Sequence, residues 1–524
     1  MMRLASLFPA LIALAAWGQG DEELGRRIYQ EGLLADRSAI IASSAGNPAL
    51  ASAAFRCASC HRASGFGGSE GGSFVPKVTA FALFGATVPT RTQLFRELYQ
   101  EVRPEREWAK MRLGKQRPAY THESLGIALS EGKDPSGRTL GKLMPRYQLG
   151  AADTANLVAY LKTLGEEPAR GVSASELHLA TVYAANPDMA RKLPIQEVIR
   201  AFIRRKNSET KRLQDRGSFS LNYKDDFKST WRRWVHHEWQ LEGEPDTWAA
   251  QLAAFQREQP VFALVSGLGE GEWAPVQEFC EQQRLPGLFP NLVQPPEQIQ
   301  NGYSFYFSQG PRAEAYFLWS QLDSEQAGEI VQIFNANGAA EQAVAWLAEK
   351  LPTTKRSASQ FKPEKGRGGV PAETWVVWLS VPELVAYAQA WKGPLPRALY
   401  VSGTMLGRTR NELVLAPEWE ERLNILEPYA SSETIWPKSY EIRAWMRSRR
   451  LGSDHEVERF NTYFALSLLD DLIVHLAGQF SAEYLIERIE HETERMENPG
   501  IYPTLSLGPT QKTASLHIEL ISPH

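Results

Sequence analysis

One five-residue stretch constrains this chain more than any other feature of its sequence. Cys57-Ala58-Ser59-Cys60-His61 has the spacing C-x-x-C-H. Two thiols separated by two residues can each add to one vinyl group of a porphyrin, so that both sulfurs become thioethers at one edge of the ring, and the histidine that follows can reach the iron. The stretch therefore predicts one covalently bound haem c, attached at Cys57 and Cys60, with His61 as the proximal axial ligand.

Two other interpretations of the cysteine pair are weaker. A thioredoxin-like redox pair usually lies near a βαβ pattern, and the sequence around this stretch lacks that pattern. Half of a zinc site would need a second pair of cysteines or histidines, and the third cysteine of the chain, Cys280, stands alone. With two of the three cysteines assigned to haem, no internal disulfide is expected.

The amino terminus predicts export. Arg3 precedes an apolar run from Leu4 to Trp17, and small and acidic residues follow it. A run of about 14 residues is shorter than the roughly 20 needed to span a bilayer, so we interpret residues 1–20 as a signal peptide that is cleaved, and not as a membrane anchor. The predicted location of the mature protein is the periplasm, without a transmembrane anchor after cleavage.

A second axial ligand to the iron is predicted at Met144. This residue lies in the run L-M-P-R-Y-Q-L, and residues 149–164 then place apolar side chains at every third or fourth position, which predicts an amphipathic helix. A methionine beside a helix is more often a core residue than a ligand. The M-P-x-Y-x-L context favours ligation here.

Together these motifs resemble a class I cytochrome c over residues 21–165. The resemblance implies an all-α domain that holds the haem through the four residues named above. It also implies that a proline carbonyl, here that of Pro76, accepts the free N–H of the proximal histidine. The glycine-rich residues 65–72 are interpreted as a flexible loop beside the haem edge. Iron with both axial positions filled is suited to carrying electrons, which argues against a peroxidase.

The sequence pattern changes after residue 165. Residues 166–175 are polar and small and predict a linker, and from residue 176 onward strands alternate with helices. The apolar run Val261–Val265, followed by Ser266-Gly267, is typical of a buried parallel strand. The alternation predicts an α/β fold with parallel sheets, and about 350 residues exceed what a single sheet core prefers, so two lobes are expected.

Residues 176–524 resemble a type I periplasmic binding protein of the branched-chain amino acid or amide transporter branch. The likeness is carried by F-A-L-V-S-G before a predicted helix, L-P-G-L-F-P after it and Y-S-F-Y-F-S at 303–308. It implies lobe I at about 176–300 and 430–495, lobe II at about 301–429 and 496–524, and a ligand between them at strand ends. The implied ligand-binding residues are Ser266, Gly267, Asn291, Ser308, Gln309 and Tyr463.

The chain departs from the amino-acid binders of this type at two positions. Where those proteins commonly carry an acidic group for the ammonium of their ligand, this sequence has Gln309 and Thr404. The departure argues against an amino-acid ligand. Two possibilities stay open: a different small molecule, or a domain that keeps the fold and binds something else or nothing.

Three further features are assigned structural roles. The run 231–239, in which tryptophans flank His236 and His237, predicts a packed helical stripe rather than a metal site. Cys280 predicts a small buried hydrophobic residue. The basic run Arg447–Arg450 predicts a solvated face on which a redox partner could dock.

Charge and motif content narrow the functional classes. The net charge of −4 excludes a strongly basic nucleic-acid binder, and the sequence shows neither a nucleophile–base triad nor a Walker loop. We expect an electron carrier or binding protein rather than a catalyst: an exported mono-haem cytochrome that serves a periplasmic dehydrogenase or oxidase, fused to a domain that binds a small molecule or a redox partner. The alternative is a solute receptor or sensor for a transporter or signalling system, in which the haem reports redox state.

Overall fold

The computed structural model of the protein divides the chain into two compact units, Met1–Glu167 and Pro168–His524. It describes residues 20–44, 47–70, 73–85, 117–165, 169–217, 231–269, 271–297, 302–322, 330–335, 338–351, 356–360, 374–407, 412–430, 432–476, 478–493 and 501–522. Apart from Gly20, the predicted signal peptide lies outside these residues. Within them, no helix has the length and apolarity that crossing a membrane requires.

The first unit consists mainly of helices, with short strands between them. The helices are α1 Glu22–Glu31, α2 Ala58–His61, α3 Ala80–Phe84, α4 His122–Ser130 and α5 Ala151–Leu161. The strands are β1 Ile41–Ser43, β2 Leu50–Ala51, β3 Gly68–Glu70, β4 Ser73–Val75 and β5 Arg146–Tyr147, paired in the order β2-β1-β5 and as the hairpin β3-β4. The prediction of an all-α domain is therefore corrected: the unit is mainly helical, but short strands pair between its helices, among them β5, which follows Pro145 directly.

Helix α1 packs closely against α5, the last helix of the first unit. Gly25 permits the approach, because a Cβ at this position would lie 2.0 Å from the carbonyl oxygen of Asn156. Gln30 of α1 donates a hydrogen bond of 2.7 Å to the hydroxyl of Tyr160 in α5. Tyr29 of α1 donates to the carbonyl of Arg62 at 2.8 Å, so the same helix also holds the end of α2.

The second unit alternates strands and helices, as the sequence predicts. Its strands are β6 Glu176–Tyr183, β7 Arg233–Gln240, β8 Ala263–Gly269, β9 Gly287–Leu288, β10 Asn291–Leu292, β11 Ser304–Phe305, β12 Ile330–Phe334, β13 Arg356–Gln360, β14 Thr374–Trp378, β15 Ala398–Ser402, β16 Leu423–Glu427 and β17 Glu519–Ile521. Its helices are α6 Met189–Gly217, α7 Trp248–Glu258, α8 Ala274–Gln283, α9 Pro311–Gln321, α10 Gly338–Lys350, α11 Val381–Ala390, α12 Gly403–Leu406, α13 Pro417–Glu420, α14 Ser432–Ser448, α15 Glu456–Leu476 and α16 Ala482–Glu492.

The first sheet of this unit is parallel throughout its described strands. Its order is β11-β9-β8-β6-β7, and β10 also pairs with β8. Every residue of β8 is buried, because α6 and α15 cover one face of the sheet and α7 and α8 cover the other. This double coverage is the reason that a parallel strand reads as a continuous apolar run.

The second sheet has the order β13-β12-β14-β15-β16-β17. Its strands are parallel except for β17, which runs antiparallel to β16. Strand β14 is buried along its whole length between two apolar clusters. The unit is thus an α/β fold in which one sheet is parallel and the other mixed.

One predicted helix is a strand. Residues 233–240 form β7, which pairs in parallel with all of β6. Trp234 and Trp239 lie in apolar clusters on opposite faces of the sheet, as expected for positions an odd number apart in a strand. His236 faces Thr181 at 2.8 Å, whereas His237 faces His178 at 3.0 Å. The two histidines therefore point to opposite faces.

Candidate functional site

The first site is built around the imidazole of His61. Its side chain is buried, and its Nδ1 lies 2.9 Å from the carbonyl oxygen of Pro76. A carbonyl only accepts hydrogen bonds, so Nδ1 carries the proton and Nε2 keeps the lone pair that a metal needs. Burial lowers the pKa of His61, and the bond to Pro76 opposes part of that shift. The ring is therefore held as a neutral imidazole with a fixed tautomer.

A hairpin places the Pro76 carbonyl. Strand β3 pairs with β4 in the register Gly68–Val75, and Pro76 follows β4 directly. Gly67 enters the hairpin with a φ of 67°, and a Cβ there would lie 2.3 Å from the carbonyl oxygen of Val75. Residues 68–70 of the glycine-rich stretch thus form strand β3 rather than the predicted loop, residues 65–67 lead into it without regular structure, and residues 71–72 lie outside the described part.

The segment that carries Met144 is held against the segment that carries the cysteines. Tyr147 donates to the carbonyl of Phe55 at 2.9 Å, two residues before Cys57. Arg146 donates to the carbonyls of Leu140 and Met144 and so closes the loop around the methionine. Met144 itself packs half-buried against the apolar cluster that contains Cys57. Sequence reasoning noted M-P-x-Y but missed these roles of Arg146 and Tyr147.

These residues fit a covalently bound haem. Cys57 and Cys60 form no disulfide with any described residue, as attachment of both to haem requires. The donor set, a neutral imidazole nitrogen and a thioether sulfur, is the His/Met pair that cytochromes c use.

In the second unit, three of the predicted ligand-binding residues bond to one another. Asn291 donates from Nδ2 to the Ser266 hydroxyl and to the Gly267 carbonyl, both at 3.2 Å. The Ser266 hydroxyl also lies 2.9 Å from that of Thr462 in α15. Ser266 and Asn291 are each 3% exposed. These groups join β8, β10 and α15, so they serve packing first.

A cavity of about 780 Å³ lies in the second unit, and some of the remaining predicted residues line it while others do not. Ser308 and Asn291 line it, and the Ser308 hydroxyl accepts from the backbone N–H of Gly310 at 3.0 Å. Gln309 is half-buried and is not part of the lining. The prediction for Tyr463 is corrected: its ring packs 4.9 Å from that of Trp445, because position 463 of α15 faces away from the cavity.

The structure adds two lining residues that sequence reasoning missed. Asn461, two positions before Tyr463, is 3% exposed and donates to Asn291 Oδ1 at 3.1 Å. Glu427, also 3% exposed, ends β16 and accepts from the backbone N–H of Tyr429 at 3.1 Å. The carboxyl end of a parallel strand is where ligand-binding groups gather, so an apolar run ending in glutamate was a usable signal.

A second buried carboxylate lies behind the lining residue Thr404. Glu314 is fully buried and accepts from the backbone N–H and hydroxyl of Thr404 at 2.7 and 2.6 Å, and from the hydroxyl of Ser402. Burial, with a smaller contribution from the neighbouring Glu427, raises the pKa of Glu314 to about 7 despite these hydrogen bonds. Thr404, which replaces an acid in the sequence comparison above, is therefore itself backed by one.

Comparison with known families identifies the first unit. Residues 48–165 match the family model for cytochrome c and form a cytochrome c domain. Domains of this family carry electrons on haem c, so the resemblance read from the C-x-x-C-H and M-P-x-Y motifs is confirmed. A search of curated proteins finds no match for the chain.

Comparison with solved structures gives matches over about two thirds of the chain. One is a branched chain amino acid ABC transporter from Thermus thermophilus with bound valine, at a TM-score of 0.47 and 10% identity, covering 67% of this chain and 94% of that one. Another is an extracellular ligand-binding receptor from Rhodopseudomonas palustris HaA2, at 0.46 and 10%, covering 67% and 98%.

Proposed function

We propose that this protein is an exported electron carrier with one covalent haem c, which works in the periplasm and carries a fused solute-binding domain. The observation that supports the carrier function most is the buried His61 ring, which follows two cysteines directly and whose orientation is fixed by the bond between its Nδ1 and the Pro76 carbonyl. The C-x-x-C-H motif, the Pro76 carbonyl that bonds to His61 and the family match all favour haem c as the cofactor.

Each residue of the first site has a defined task in this proposal. The thiols of Cys57 and Cys60 would each add S–H across one vinyl double bond of the porphyrin and so hold it covalently. His61 would bind the iron through Nε2 while Pro76 fixes the orientation of its ring, and Met144 would supply a sulfur ligand. When bound, the haem supplies reversible one-electron transfer. With both protein ligands bound, the domain would exchange electrons with a partner, which we propose to be a periplasmic dehydrogenase or oxidase.

The two sheets of the second unit are proposed to be the two lobes of a solute-binding domain. The cavity supports this, since its lining includes Asn291 after the first sheet's strand β9 and both Thr404 and Glu427 from the second sheet's region. Ligand sites in open α/β folds lie at the carboxyl ends of parallel strands. The proposed occupant is a small molecule.

A redox titration of the full-length holoprotein tests the carrier function. We expect one haem per chain, low-spin optical bands, and a reduction potential that Met144→Ala lowers by on the order of 0.1 V, within the roughly 0.8 V range that axial ligands span. Met189→Ala is the matched control, because Met189 is exposed and lies in the other unit. An unchanged spectrum and potential in Met144→Ala would remove this ligand from the proposal.

The second candidate function is that of a solute receptor or sensor. The cavity of the second unit supports this candidate, because it is large enough to hold a small molecule. If the haem reports ligand binding, saturation of the cavity shifts the reduction potential by a reproducible amount. If the protein is a carrier with an independent binding domain, the potential is the same with and without ligand. The titration repeated in the presence of a bound ligand separates the two functions.

A further inference from the structure

A stripe of basic side chains runs along one face of α6 in the second unit. Arg204, Arg205 and Arg212 lie on this face together with Ser208 and Glu209, because positions three and four apart share one side of a helix. Another face of the same helix packs into the apolar core. The fold of α6 therefore brings guanidiniums that are separated in the sequence onto one surface.

The stripe lines a groove of about 570 Å³, and Arg449, which follows α14, lines the same groove. The described lining contains four guanidiniums and a single carboxylate, that of Glu209. This leaves the described lining with an excess of three positive charges. A surface of one sign of charge attracts groups of the opposite sign, so an anion is favoured in this groove.

Aromatic rings hold two of the four guanidiniums in place. The Cζ atom of Arg205 lies 4.5 Å from the centroid of the Phe202 ring, and that of Arg449 lies 4.5 Å from the Trp445 ring. The two rings are themselves 6.2 Å apart. Nη1 of Arg449 also donates to the carbonyl of Trp445 at 3.2 Å. Both cations are therefore positioned by packing within this chain, before any partner binds.

The charges of these two cations are only partly compensated. Burial, with a smaller contribution from the positive charge of Arg205, lowers the pKa of Arg449. The nearest carboxylates to Arg205, those of Glu209 and Asp470, lie 3.8 and 3.7 Å from its nitrogens, too far for hydrogen bonds. Asp470 forms a closer ion pair with Lys206. An anion in the groove would therefore relieve repulsion between cations that the fold holds together.

The other two guanidiniums extend the charge along the helix. Arg204 and Arg212 are exposed and form no ion pair with a described residue. They are eight positions apart, which is about 12 Å along a helix axis. An anion whose charges are spaced along a chain matches such a stripe better than a single point charge does.

The shape of the site favours a protein segment over a membrane as the source of these charges. A bilayer presents a flat surface, which contacts protruding groups, whereas this site is a recess. A guanidinium can bind a carboxylate through two parallel N–H···O bonds, so side-chain carboxylates match this lining chemically. An extended segment rises about 3.3 Å per residue, so a few residues span the groove.

We propose that the groove lined by Arg204, Arg205, Arg212 and Arg449 is a docking site for an acidic segment of a partner protein. The inference goes beyond the proposed electron transfer and solute binding, neither of which requires it. Of the basic run that the sequence predicted as a solvated face, Arg449 is the member that lines the groove.

Titration calorimetry on the full-length holoprotein tests the class of partner. The probe is a blocked oligoglutamate of about six residues, long enough to span the groove, and the control is an oligoglutamine of the same length. We expect the oligoglutamate to bind at an ionic strength of about 0.01 M and at least about ten-fold more weakly at about 0.15 M, where screening is stronger. The oligoglutamine should not bind.

A pair of charge-removing variants locates the site. Arg204→Gln combined with Arg212→Gln should weaken binding of the oligoglutamate at least about five-fold, and glutamine keeps the helix propensity of arginine. Arg257→Gln combined with Arg397→Gln is the matched control, because it removes the same charge from two exposed positions outside the groove. The control should leave the affinity within about two-fold of that of the unsubstituted protein.

One variant should act in the opposite direction. Glu209→Gln removes the only carboxylate of the described lining, so it should tighten binding of the oligoglutamate by about two-fold or more. A gain in affinity cannot result from unfolding, so this variant decides even if the arginine variant does not fold. The unfolding midpoint of each variant is measured alongside its affinity.

Two further probes test other sources of negative charge. Inorganic phosphate bound as tightly as the oligoglutamate would make the groove a small-anion site and overturn the proposal. Vesicles of phosphatidylcholine and phosphatidylglycerol bound through Arg204 and Arg212, without binding of the oligoglutamate, would make it a membrane site instead. Equal losses in the groove and control variants, or weaker binding in Glu209→Gln, would also overturn the proposal. None of these outcomes bears on the haem or on solute binding.

Discussion

The two units of this protein differ in how well the residues of their sites can be predicted from the sequence. In the first unit, Cys57, Cys60 and His61 are adjacent because covalent attachment demands two thiols and an imidazole at fixed spacing. In the second unit, the predicted ligand residues Ser266 and Asn291 were placed by their position at strand ends, and the structure shows them bonded to each other. A covalent attachment site can be recognised from the types and spacing of its residues. A hydrogen-bonding cavity depends on where each side chain points, which the sequence does not show.

This difference predicts that one pair of substitutions in the first unit abolishes covalent haem attachment completely. In the double variant Cys57→Ser, Cys60→Ser no thioether can form, so acid–solvent extraction should remove all haem from the protein. Cys280→Ser is the control, because Cys280 is buried beside β9 in the second unit, and it should retain one covalent haem per chain. The measurement is haem stain and absorbance after extraction.

The same pair tests whether the fold of the second unit depends on the haem of the first. Tryptophan fluorescence reports almost entirely on the second unit, which contains 13 of the 15 tryptophans. We expect the urea midpoint of that signal to be the same in the double variant and the unsubstituted protein. A large shift would mean that the fold of the second unit depends on the haem, and the comparison between the units would fail.

A second prediction concerns pH and belongs to the second unit. The pKa of Glu314 is raised to about 7 in the folded protein, above its ordinary value of 4.5, chiefly because of burial. A group with a raised folded pKa binds its proton more tightly when folded, so its contribution is present below about pH 4.5 and is lost as the pH rises through 7. The free energy of unfolding should therefore fall by up to about 3 kcal/mol over this window.

Glu314→Gln should flatten that dependence, measured by urea unfolding at pH 5 and pH 8 through tryptophan fluorescence. Glu383→Gln is a useful contrast, because the hydrogen bonds of Glu383 with Ser380 and Asn335 lower its pKa in spite of desolvation. A carboxyl with a lowered folded pKa contributes stability that is present above its unfolded pKa of about 4.5, so Glu383→Gln should lower the free energy of unfolding by a similar amount at pH 5 and pH 8 and leave the fall nearly unchanged. A fall in Glu314→Gln as large as that of the unsubstituted protein would contradict the raised pKa of Glu314.

The sequence predicted the positions of strands better than the directions of side chains. Val261–Val265 reads as a buried strand because both sheet faces are covered, and the structure has β8 there with every residue buried. The run 231–239 was misread because aromatic residues at these spacings fit a helix nearly as well as a strand. Tyr463 was predicted to line the cavity, whereas Asn461, two positions earlier in α15, does so. The sequence does not show which face of this helix turns toward the cavity. That orientation is fixed by packing of Tyr463 against Trp445 and Phe202.

More of the haem site was predicted from the sequence, but the prediction covered only the residues that belong to the family's motifs. Pro76 was proposed from the resemblance, and the structure places its carbonyl 2.9 Å from His61. The hairpin β3-β4 that positions it was read as a loop, since glycine-rich sequences indicate turns and give no sign of pairing. Arg146 and Tyr147 act through backbone carbonyls, which have no sequence signature.

The smallest expected effect tests whether Tyr147 positions Met144. Tyr147 is 5% exposed, and Tyr147→Phe would leave the Phe55 carbonyl without this donor at a cost of about 1 kcal/mol. Because the lost bond joins the methionine segment to the cysteine segment, the fraction of iron ligated by Met144 should fall on mild heating before the first unit unfolds. The absorbance and potential of the holoprotein follow that fraction.

Tyr160→Phe is the matched control for this variant. Tyr160 is equally buried, and its hydroxyl accepts from Gln30 at the contact between α1 and α5. Its loss should cost a similar free energy of unfolding and leave methionine ligation unchanged up to the unfolding transition. If both variants behave alike, Tyr147 contributes only stability. If only Tyr147→Phe releases the methionine, then Tyr147, which is not a ligand, keeps Met144 bound to the iron. The site of the first unit would then depend, like that of the second, on contacts that cannot be predicted from the sequence.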